Sequence, residues 1–114
     1  MAETYTPDSL VLGQAVTDTV TIKSGQTLTR GALLGRVDAD GKFILSVDTA
    51  TDGSQTPAAI LLDETVDASG GDKTASVYVA GVFDETSVVF GGAHTADSVR
   101  WGLHARGIHL QKTV

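Results

Sequence analysis

Ala15-Val16-Thr17-Asp18-Thr19-Val20-Thr21-Ile22-Lys23 alternates strictly, with Val16, Asp18, Val20 and Ile22 on one side and Thr17, Thr19, Thr21 and Lys23 on the other. A period of two is the signature of a half-buried strand, because successive side chains leave opposite faces of the pleat. The rest of the chain follows the same pattern. Its apolar runs are short, its threonines number 15, and its 13 glycines separate the runs as turn signals. β-branched residues suit a pleated surface, so the sequence predicts an all-β fold.

Working outward, Ser24-Gly25 turns the first strand, and Leu28 to Gly31 leads into an apolar run at Ala32 to Val37. Asp38-Ala39-Asp40-Gly41 is a hairpin signal, since Asp-Gly tolerates positive φ, and Lys42 to Val47 is the return strand. Asp48 to Pro57 reads as loop, and Ala58 to Leu62, continuously apolar, as a strand buried on both faces. Asp63 to Asp72 is a second polar loop. Ala75 to Ala80 alternates up to a stop at Gly81, and short strands are expected at Val82-Phe83 and Ser87 to Phe90 before the break at Gly91-Gly92. One helix is predicted, capped by Thr95, with Asp97 in its first turn, Arg106 in its last and Gly107 just beyond. Val99 and Leu103, four apart, form its inner face, and Ile108 to Gln111 makes a last strand.

The 114 residues carry 14 acidic and 8 basic side chains, a formal charge of -6. That length fits one domain, divided as an arm at 1–14 and a body at 15–114. Such acidity argues against a nucleic-acid partner, which needs clustered Lys and Arg. There is no cysteine, which excludes disulfides, thiolate metal sites and a cysteine nucleophile. No apolar run approaches membrane-spanning length, and the first residues lack the basic and apolar regions of a signal peptide.

Chemistry has few candidates. Asp38 with Asp40, and Asp48 with Asp52, resemble fragments of a calcium loop, but no further ligands follow at the required spacing. His94, His104 and His109 form no zinc motif. There is no nucleophile elbow or phosphate loop, and the adjacent Asp63 and Glu64 would point apart. The sequence therefore predicts no enzyme, no cofactor and no small-molecule substrate. Phe43, Tyr78, Phe83, Phe90 and Trp101 are expected in the core, whereas Tyr5, in a polar arm, is expected to anchor a partner surface.

The order of these motifs resembles the lambda-type bacteriophage head decoration proteins. The resemblance is carried by the arm at Tyr5 to Leu10, Gly31 to Arg36, Asp40-Gly41-Lys42 and Pro57 to Leu61. It continues through Gly71-Asp72, Val77 to Phe83, and the helix feeding Arg106 to Leu110. The resemblance implies a β-clip or β-tulip domain that sits as a homotrimer at threefold positions on the outside of an expanded capsid. It further implies that the protein, made in the host bacterial cytoplasm, clamps the shell against packaged DNA. The major capsid protein is then the partner, and Glu3, Thr4, Tyr5, Thr6, Pro7, Asp8, Ser9 and Leu10 are the expected capsid-binding residues. Two rivals share the size and the β content: a lipoyl- or biotinyl-type carrier with Lys42 as the modified residue, and a sugar-binding β module.

Overall fold

The computed structural model describes residues 11–111, with backbone only at 12–14. Eight strands and one helix make up the fold: β1 (Val11–Ile22), β2 (Thr27–Thr29), β3 (Leu33–Arg36), β4 (Phe43–Leu45), β5 (Pro57–Leu61), β6 (Thr65–Asp67), β7 (Lys73–Asp84), α1 (Ala96–Ala105) and β8 (Ile108–Gln111). The main sheet runs β1-β4-β3-β5-β7-β8, and β1 also pairs with β7. That second pairing closes five strands into a ring, completed by one parallel pair between Ile22 and Phe43. β8 lies outside the ring, parallel to β7 and on the opposite edge from β1, while β2 and β6 form a separate ribbon.

Two cores result, one on each side of the β3-β5-β7 wall. Leu33, Ile60 and Tyr78 face one cluster, together with Phe83, Val99, Leu103, Ile108 and Leu110. Their neighbours Leu34, Leu61 and Val77 face the other, with Ile22, Leu28 and Val66. This is why Ala59, Ile60 and Leu61 form an unbroken buried run, as expected for a strand covered on both faces. Each Leu, Ile or Val side chain of these clusters contributes about 1.5–3 kcal/mol on burial. The helix is where the sequence predicts it. Thr95 Oγ1 accepts from Ser98 N–H while Ser98 Oγ accepts from Thr95 N–H, and Val99 and Leu103 are buried.

Four features correct the sequence reading. β1 starts at Val11, within the segment assigned to the arm, and its predicted inner face is buried only at the Ile22 end; Val16 is 56% exposed. The strand expected to stop at Gly81 continues to Asp84. Gly81, at φ 140°, pairs with Ala15 on one edge and with Ile108 on the other, so both neighbours hold the chain extended through the glycine. Ser87 to Phe90 is not a strand: a 3-10 turn spans Glu85–Ser87, and Val89 makes one isolated bridge to Ala32. The loop after Asp63 contains β6, whose pairing with β2 depends on partners distant in sequence.

Candidate functional site

The expected capsid-binding residues, Glu3 to Leu10, lie outside the described residues. Their root does not. Val11 opens β1 opposite Phe83, and Phe83 pairs on its other edge with Leu110, so the chain enters the body beside the β7–β8 end of the sheet. Phe83 is fully buried, which gives the segment a fixed point of attachment.

The polar candidates are each engaged in holding loops. His94 Nε2 lies 3.1 Å from Ser46 Oγ, a serine–histidine contact that invites a nucleophile reading. Ser46, however, is fully buried, and its hydroxyl donates to the Ser54 carbonyl at 2.7 Å. A nucleophile must be reachable and must give its proton to the base. This pair instead ties the Gly91–Thr95 turn to the loops after β4.

The two acidic clusters fold their own loops in the same way. Asp40 Oδ1 accepts from Lys42 N–H at 3.0 Å, and its Oδ2 meets Lys23 Nζ at 2.5 Å. The hydrogen bond from Lys23 holds the Asp40 carboxyl below the usual range. Asp52 is lowered chiefly by the Ser54 hydroxyl, which donates to it at 2.5 Å. Asp48 Oδ1 accepts from Ala93 N–H. The Asp38 carboxylate lies against Gly53, where a Cβ would collide with it. Asp63 accepts from Ser76 N–H, and Glu64 is exposed. Lys42 is paired with Asp72 at 2.5 Å, which raises the Lys42 pKa and lowers that of Asp72. A carrier lysine needs a freely swinging amine, and this one bridges two loops. An open groove of about 300 Å³ lies between Asp63, Thr65, Val66, Asp67, Lys73 and Thr74.

Two arginines that the sequence did not single out act as clamps. Arg100 Nη1 donates to the Leu110 carbonyl at 2.7 Å, and its Nη2 reaches Glu85 at 2.9 Å and Asp97 at 3.2 Å, joining α1 to β8 and the 3-10 turn. Arg30 donates to the Leu62 carbonyl and to Tyr78 Oη, with its guanidinium over the Tyr78 ring. An isolated Arg in a sequence carries no sign of such partners. The aromatics divide. Phe83 and Tyr78 are core and pack at 5.2 Å, whereas Trp101 is 72% exposed, contrary to expectation. Trp101 stacks edge-on against His104 at 5.5 Å, and His104 against His109 at 4.2 Å.

Compared with known proteins, residues 3–108 match the model of a family described as bacteriophage lambda head decoration protein D. No curated protein matches the chain.

Proposed function

The chain belongs to the bacteriophage lambda head decoration protein D family, and from that premise we propose that it binds the outer surface of the expanded capsid as trimers at threefold positions. Membership makes it a structural protein of the phage head, associated with the capsid of the virion. The finer reading is mechanical: made in the host bacterial cytoplasm, it attaches after shell expansion and holds the shell against the pressure of packaged DNA. The observation that carries this reading is the extent of the family match, which begins at residue 3 and so takes in the arm as well as the body.

In this reading Glu3 to Leu10 contact the major capsid protein. Thr4, Tyr5 and Thr6 suit an extended strand, and strand addition to an exposed edge would satisfy the arm's backbone groups. Pro7 has no N–H to donate, so pairing runs mainly through Glu3 to Thr6. Three arms on one trimer raise each other's effective concentration, so modest single-arm affinity becomes durable attachment. Mixing the purified protein with expanded, undecorated heads and imaging the product tests the reading. Density at the threefold positions is expected; bare heads at saturating protein would overturn it.

A further inference from the structure

His104, from the last turn of α1, and His109, from β8, meet at one corner of the body. Their ring centroids are 4.2 Å apart and their planes stand at 85°. Neither ring makes a hydrogen bond or ion pair among the described residues, whereas His94 is committed to Ser46. His104 is exposed, and half-buried His109 keeps its ring nitrogens within reach of solvent, since no buried side-chain nitrogen among the described residues lacks a partner. Two adjacent imidazoles are thus left with open nitrogens.

The backbone beneath both rings is fixed. His109 pairs with Val82 of β7 and lies between buried Ile108 and Leu110, so strand alternation sends its ring to the other face. His104 follows buried Leu103, and its carbonyl accepts from Gly107 N–H at 3.1 Å. Gly107, at φ 89°, takes the left-handed conformation that turns the chain directly from helix into strand. The two side chains are therefore brought together before any ligand arrives, which reduces the ordering cost of binding.

We propose that His104 and His109 bind a divalent transition-metal ion, with Cu2+ preferred. Imidazole is a ligand suited to copper, nickel and zinc. With metal–nitrogen bonds of about 2 Å, two imidazoles on adjacent corners of a square place their ring centres about 4.5 Å apart, and on a tetrahedron about 5 Å apart. The observed 4.2 Å is closer to the square, the geometry of Cu2+ and Ni2+, and Cu2+ stands highest in the affinity order. Histidine χ2 is a soft torsion, and with no hydrogen bond holding either ring a nitrogen of each turns to a common point. Among the described residues no group of three or more histidines and carboxylates could hold a metal, so the protein supplies two ligands here and water the rest. The chain's net charge of -6 favours a cation, and the site does not depend on where the protein sits on a capsid.

Trp101 is the only tryptophan, and its ring centroid lies 5.5 Å from that of His104, so bound Cu2+ at this corner quenches its fluorescence. The untagged full chain is titrated with CuCl2. Saturable quenching with one ion per chain is expected, and the bound Cu2+ is expected to show coupling to two imidazole nitrogens in its paramagnetic resonance spectrum. His104→Ala and His109→Gln are each expected to weaken binding by about tenfold or more, since even the loss of an outer-shell partner costs about 10–100-fold. An unchanged Tm and unquenched Trp101 emission check that each variant is folded; His104→Gln replaces His104→Ala if the alanine variant is not. Saturable quenching that survives both substitutions places the ion elsewhere and overturns the site. Quenching that rises without saturating shows collision alone and overturns it as well. Displacement of Cu2+ by an equal concentration of Zn2+ would overturn the preference for copper.

Discussion

Gly35 lies where β3 passes closest to another backbone: a Cβ there would collide with the Ser54 carbonyl and with the carbon atoms behind it. Backbone cannot swing aside as a flexible side chain can. Gly35→Ala is therefore expected to destabilise the body by about 3 kcal/mol, checked by denaturant unfolding. An unchanged midpoint would show that the loop carrying Ser54 moves aside from β3 at no cost. Tyr5→Ala acts on attachment instead and is expected to weaken it by about 1–2 kcal/mol per arm, measured by titration onto expanded heads. Residue roles were partly legible in the sequence. Val99 and Leu103, four apart, were readable as the helix's buried stripe and are buried. Hydrophobicity alone places Trp101 in the core, yet it is exposed. It lies two residues from both Val99 and Leu103, about 200° around the helix from each, and so faces away from the surface they cover.

Elements with a strong local signal are those the sequence yields most directly. The alternation of β1, the Asp-Gly turn between β3 and β4, and the capped helix each need only neighbouring residues, and each forms. β2 and β6, three residues apiece, have too few positions to show a period and exist only by pairing with each other. β7 runs through Gly81 because two flanking strands hold it there, which no window around the glycine reveals. The segment Ala2 to Ser9 belongs to this scale as a proposed attachment element. Deleting it is expected to leave the body folded, with a nearly unchanged Tm, and to abolish binding to heads. Decoration by the truncated chain at the full-length level would refute the arm's role and the bridging mechanism with it.

At the scale of the whole molecule, sedimentation of the free protein is expected to show monomer or trimer, and a stable dimer would contradict threefold association. Acid stability follows from the loop carboxylates. Asp40 and Asp72 are held below the ordinary carboxylate range by hydrogen bonds from Lys23 and Lys42. A depressed folded pKa stabilises fully above the unfolded value, about 4, and the contribution is lost as pH falls through the lower folded values. Both pairs are solvent-exposed, so the effect is small and weakens with salt. Asp40→Asn with Asp72→Asn is expected to flatten the fall in Tm below pH 4; an identical acid limb would show that these pairs contribute nothing. By itself the sequence determined the β class, the hairpin, the helix with its buried stripe, and the resemblance to head decoration proteins, because each rests on local periodicity or on motif order. Only the tertiary structure decided the closure of β1 onto β7, the two cores on either side of one wall, the arginine clamps, and the exposure of Val16 and Trp101. Those depend on which distant residues come to lie against one another, and a period-two pattern states that a face is apolar without stating what will cover it.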